Sequence, residues 1–290
     1  MEELLGRFFI FEKDIDGYRH TSEISEEYYN ILKLETSKIN EFKYLLRKTM
    51  EIVLNYDEYF NTFNHYEAKL KQFESDIKKE NDLLESAFVD LNRTFINYIT
   101  SIRYSIEHLE IRLTKRYGKD SLEFKSFKHF LSSKYDTFFA YKFMYHLRNY
   151  IVHKAEFPIY IVDFDKDYLK NEKKLNAYFS KDKLLENDEF KGKMQNELKR
   201  FNSEFPVEPQ ILALLPIYKE LLHKVTEIDS LYLKNAVNTF SEIIAKFPQG
   251  TTVSFGFIEK TRDGFVHNLT IIEALTIKFL IDTGYFTPSV

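Results

Sequence analysis

From Ser22 onward apolar residues recur at steps of three and four: Ile24, Tyr28, Ile31, then Ile39, Phe42, Leu46, Val53, Tyr56 and Phe60. That is the period of one buried face of a long helix. A second stretch repeats it through Leu84, Phe88, Leu91, Phe95, Tyr98, Ile102, Leu109 and Leu113, and stops at Tyr117-Gly118, where glycine suits a left-handed helix end. The pair predicts two long antiparallel helices. Between them residues 69–81 are charged and free of proline and glycine, which fits solvated helix and mobile elbow equally. Ser121 with Phe124, Phe127, Phe130 and Leu131 predicts a third helix; Asp136 caps a fourth that runs through Phe139, Phe143, Tyr145 and Leu147 to about His153, before Pro158 forbids continuation.

Beyond Pro158 lies a short β-branched run to Val162, then residues 163–193, dense in Lys, Asp, Glu and Asn, which read as an exposed excursion and a module seam. A helical region follows over residues 208–247, interrupted or kinked by Pro216. Residues 253–258 and 265–269, joined through Asp263-Gly264, predict a small β-hairpin, and Thr270 with Glu273 resembles a capping box for a last helix ending at Gly284. The expected fold is mainly all-α, an elongated helical bundle divided into an N-terminal bundle (residues 1–157) and a C-terminal helical region (residues 158–290) with a charged linker and the hairpin.

Composition agrees with a folded helical chain. Of 290 residues 44% are hydrophobic and 17% aromatic, too apolar for disorder, while eight Gly and six Pro are too few for the tight turns of an all-β protein. The absence of Cys excludes disulfide scaffolds, thiolate metal sites and cysteine nucleophiles. The start lacks the basic, apolar character of a signal peptide, and the longest apolar run, residues 211–218, contains a proline and falls far short of the roughly 20 residues that span a bilayer. A cytoplasmic protein without a membrane partner is expected.

Charge is uneven. Residues 111–154 hold ten Lys or Arg against three acids, or +7, so the rest of the chain carries −4 − 7 = −11. Such a segment is either a solvated lysine-rich face or a surface that focuses anions. Within it stands Arg148-Asn149-Tyr150-Ile151-Val152-His153-Lys154. Helical periodicity sets His146, Asn149 and His153 on one stripe, with Lys142 a turn earlier and Arg148 about 140° away from His153. These groups suit phosphodiester chemistry without a metal: His moves protons near neutrality, Arg grips phosphate bidentately, and Asn orients. Each also has an ordinary use. Arg near a helix C-terminus is favoured by the dipole, His146 can simply pack, and Tyr145 and Tyr150 serve a core or an interface. A zinc site is disfavoured by the seven-residue spacing of His146 and His153, and no Gly-rich phosphate loop or Gly-x-Ser-x-Gly elbow occurs.

The Arg148-Asn149-x-x-x-His153 run, late in a helix of an all-α bundle, resembles the signature of the HEPN superfamily. Its catalytically active members are metal-independent endoribonucleases that act as dimers. The resemblance covers about residues 80–157 and implies catalytic roles for Arg148 and His153 with Asn149 supporting, and weaker substrate contacts from His146, Lys142, Lys154 and Tyr150. It further implies RNA as substrate, a second copy of the chain, an antitoxin or defence-system partner, and no cofactor. Ala155 stands where related toxins often carry a modifiable Tyr, and the chain is about twice the length of a minimal HEPN toxin, closer to abortive-infection proteins. The alternative is a non-catalytic interaction or nucleotide-binding scaffold that uses the same motif to hold a dimer or a ligand.

Overall fold

The computed structural model describes residues 7–13, 18–72, 77–154, 157–167, 172–245, 254–260 and 266–284. The fold is mainly helical, with small β elements, and divides into two compact units, residues 47–222 and residues 1–46 with 223–290. This division does not fall at the expected seam after residue 157.

In the unit 47–222, the later part of α1 (Glu26–Gln72) lies against α2 (Ile77–Tyr117). Tyr66 bonds Asp90, Glu58 pairs with Arg93, Tyr59 meets Phe95, Tyr56 meets Tyr98 and Lys48 sits over Tyr104. The numbers fall along one helix as they rise along the other, so the two run antiparallel, as their apolar stripes predict. Charged residues 69–72 and 77–81 are helical; residues 73–76 lie outside the described set. Gly118 ends α2 at φ +87°, a conformation that a Cβ would strain.

Ser121 caps α3 (Leu122–Thr137), its hydroxyl accepting from the Phe124 N–H at 3.1 Å. The cap expected at Asp136 is not used: α3 continues through Asp136, the chain breaks at extended Phe138 (φ −111°, ψ 112°), and α4 (Phe139–Lys154) starts there. Its end is fixed from α2. Asn92, fully buried, accepts from the Ile159 N–H at 2.9 Å and donates to the Ile159 carbonyl at 3.0 Å, clamping the chain just past Pro158.

The segment expected to be an exposed excursion is largely structured. β3 (Ile161–Asp167), β4 (Glu172–Ser180) and β5 (Glu204–Pro206) form an antiparallel sheet in that order. On β4, Leu175, Ala177 and Phe179 alternate inward, a period of two that outweighs the strand's Lys and Asn content. Phe179 packs its ring 5.1 Å from Phe143 of α4 and 5.5 Å from Phe95 of α2. After β4 come α5 (Lys181–Leu185), a single 3-10 turn (Asp188–Phe190) and α6 (Lys193–Leu198), seated by buried Leu184, Phe190, Met194 and Leu198. The region 208–247 is two helices, α7 (Glu208–Ile228), which continues through Pro216, and α8 (Ser230–Ile244), parted at Asp229.

The other unit holds a four-stranded antiparallel sheet in the order β2-β1-β6-β7, from β1 (Arg7–Lys13), β2 (Tyr18–Ile24), β6 (Ser254–Lys260) and β7 (Val266–Glu273). The C-terminal hairpin is therefore present, and the N-terminal one, which the helical pattern did not suggest, pairs with it, Phe9 opposite Ile258. The Asp263-Gly264 turn lies outside the described residues. Thr270 and Glu273 both belong to β7, opposite Phe257 and Ser254, so the last helix begins four residues beyond Thr270; α9 (Ala274–Asp282) follows, and Gly284 turns at φ +78°. Leu32, Phe42, Val225, Val237, Phe240 and Ile277 are buried in this unit. Among the described residues no helix is long and apolar enough to cross a membrane.

Candidate functional site

Helix α4 buries Ala140, Phe143, Met144, Leu147 and Tyr150, an i, i+3, i+4, i+7 stripe, and leaves its polar residues on two other faces. Phe143 reaches Phe205 at 5.6 Å and Phe190 at 6.1 Å, and Tyr150 reaches Phe190 at 5.7 Å. Tyr150 is thus a core aromatic, 4% exposed.

The stripe of Lys142, His146 and Asn149 is met by carboxylates from the segment after β4. Lys142, nearly buried, pairs with Glu197 of α6 at 2.5 Å. His146 Nδ1 lies 3.0 Å from Glu189 Oε1, and Asn149 Nδ2 donates to the same oxygen at 3.1 Å. Glu189 is held by its place in the 3-10 turn, where its N–H donates to Asn187 Oδ1 at 2.9 Å, and by buried Phe190 beside it. On the other edge of the imidazole, Nε2 lies 2.7 Å from the Tyr135 hydroxyl. A carboxylate only accepts, so in the neutral ring Nδ1 carries the proton and Nε2 accepts from Tyr135. Burial is the main cause that raises the Tyr135 pKa; Lys142 opposes it, and Tyr145, Glu189 and Glu197 add to it.

Arg148 and His153 stand apart from this network. Arg148 is half-buried, with its Nε enclosed and without a hydrogen-bond partner. His153 is exposed one residue from the end of α4. Of the seven motif residues named from the sequence, the structure therefore brings His146, Asn149 and Lys142 into a carboxylate network, places Tyr150 in the core, and leaves Arg148 and His153 outside both; the side chain of Lys154 lies outside the described residues. The basic segment is partly matched by acids from beyond it: Lys128 pairs with Glu110, Lys134 with Glu220 and Lys142 with Glu197, whereas Lys115, Lys119 and Lys125 are exposed.

Sequence reasoning missed Glu189, Glu197 and Tyr135. The two glutamates sit in a stretch whose charge masks it, and the signal available was the apolar set Leu184, Phe190, Met194 and Leu198 threaded through that charge. Among the described residues no three His, Asp or Glu cluster as metal ligands. No protein-family model, no curated protein and no solved structure matches the chain.

Proposed function

We propose that the chain is a HEPN-like, metal-independent endoribonuclease, with Arg148 and His153 acting on an RNA phosphodiester. The observation that supports this most is the contrast along α4. Lys142, His146 and Asn149 are engaged by Glu197 and Glu189, whereas among the described residues Arg148 and His153 make no carboxylate pair. His153 takes the proton of a ribose 2′-hydroxyl or gives one to the leaving 5′-oxygen, and Arg148 offsets the charge that builds on the phosphate. Asn149 then acts as support for the helix face rather than as a substrate contact. One Arg and one His make a sparse site, so two copies related by a twofold axis would pool two of each. A toxin or phage-defence effector working in the cytoplasm is the setting this reading carries.

A second reading, a non-catalytic helical scaffold, is favoured by the same contacts, since three of the named polar residues already have partners within the fold. Incubation of the purified chain with total RNA in EDTA separates the two. Cleavage that persists in EDTA, and that falls by at least about a hundredfold in His153→Ala and Arg148→Lys, supports the enzyme. Intact RNA, or cleavage that needs added magnesium, refutes it.

A further inference from the structure

A cleft of about 380 Å³ opens between α2, α3 and α4, within the size range of small-molecule sites. Tyr135, Tyr141 and Tyr145 are among the residues that line it, with Leu131, Ser132 and Glu110. Tyr135 and Tyr145 meet edge to face at 5.8 Å, and the Arg103 guanidinium lies 4.5 Å from the centre of the Tyr145 ring. Arg103, Tyr141 and Tyr145 also line a small neighbouring cavity with Ile102, Ile106 and Leu214. The cations are already matched, Arg103 to Glu107 at 2.9 Å and Lys128 to Glu110 at 3.2 Å, so the cleft offers no unpaired positive charge to select an anion.

What it does offer is directed acceptors. With the ring neutral, Glu189 accepts from His146 Nδ1–H and His146 Nε2 accepts from the Tyr135 hydroxyl, which leaves the lone pairs of the Tyr135 oxygen for a donor on a ligand. Asp136 adds an exposed carboxylate at the rim.

We infer that this cleft is a binding site for a planar aromatic ligand that carries an N–H or O–H donor, with Tyr135 as its acceptor and His146 and Glu189 as the residues that fix the acceptor's direction. The tyrosines stack on a flat ring, and the Tyr135 oxygen selects the donor. The inference is independent of RNA cleavage, because none of these residues is Arg148 or His153.

The test is saturation-transfer NMR on the full chain with matched probes: indole against benzothiophene, and phenol against fluorobenzene, each pair alike in shape and differing in the donor. Indole and phenol bind, and their donor-free counterparts bind about tenfold more weakly, the size of one hydrogen bond. Tyr135→Phe keeps the ring and removes the acceptor, so it erases that preference while leaving benzothiophene binding intact. His146→Leu frees the Tyr135 proton to turn into the cleft, and it lowers the ratio of indole to benzothiophene affinity without abolishing either. Competition by single-stranded oligoadenylate assigns the ring to a nucleic-acid base, and its absence to a free small molecule; both keep the site. No binding of indole or phenol at millimolar concentration, equal binding within each pair, or an unchanged preference in Tyr135→Phe overturns the inference.

Discussion

Asn92 holds the exit of the motif helix, and replacing it by leucine measures how much. The side chain is fully buried and makes three hydrogen bonds: to the Phe88 carbonyl at 3.0 Å within α2, and to both the carbonyl and the N–H of Ile159 at 3.0 and 2.9 Å. Leucine is close in volume and a better helix former, so the cavity term is small. The Phe88 carbonyl lies in the interior of α2 and keeps its place in the helix ladder. The Ile159 peptide loses both partners, and each buried orphan costs about 1–3 kcal/mol. That sums to about 2–6 kcal/mol, against about 1–2 kcal/mol returned by the added apolar burial. The expected net loss is about 0–5 kcal/mol, centred near 2.5, or a fall of roughly 0.8 M in the urea midpoint for a slope near 3 kcal/mol/M. Urea unfolding followed by circular dichroism reads the midpoint, and amide exchange at Ile159 should speed up with it. A midpoint shift below about 0.3 M with an unchanged Ile159 amide would refute the clamp.

Other consequences follow from single contacts. Glu80→Ala removes the carboxylate paired with buried Lys173 and should destabilise the fold, whereas Glu80→Leu with Lys173→Met should recover most of the loss; a double-mutant cycle with no coupling contradicts the buried pair. Burial raises the Tyr66 and Tyr141 hydroxyls to about 12, Tyr66 also through its bond to Asp90, and moves Tyr59 and Tyr98 up in the same direction. Because the folded-state values lie above the unfolded value near 10, the stability these groups confer is complete below pH 10 and is lost as pH rises toward 12; an alkaline melt flat across that window would contradict the burial. His153→Ala should shift the melting temperature little, since the ring is exposed, while Phe143→Ala, fully buried among Phe179, Phe190 and Phe205, should cost about 3–5 kcal/mol by thermal unfolding.

The helices were legible because a period of 3.6 repeated over many turns cannot be mistaken, and because Gly118 and Pro158 punctuate them. Strand β4 was not. Its lysines and asparagine read as loop, and the alternation of Leu175, Ala177 and Phe179 is only three residues deep. The sheet of the other unit depends on β1 pairing with β6, some 250 positions away, which local pattern cannot reveal. The motif helix carried its chemistry openly, yet the partners of His146 and Lys142 come from residues 189 and 197, which nothing in the helix itself points to. Hence the sequence reading ranked His146 below His153, while the structure gives His146 the richer set of contacts.

RNA cleavage by Arg148 and His153, as proposed, proceeds by attack of the 2′-hydroxyl. End-group mass spectrometry of a cleaved oligoribonucleotide, run beside the same oligonucleotide with 2′-O-methyl riboses, tests it most directly. The expected products are 2′,3′-cyclic phosphate and 5′-hydroxyl ends in EDTA, with the methylated strand left intact. Ends bearing a 3′-hydroxyl and a 5′-phosphate, or cleavage of the methylated strand, would contradict it.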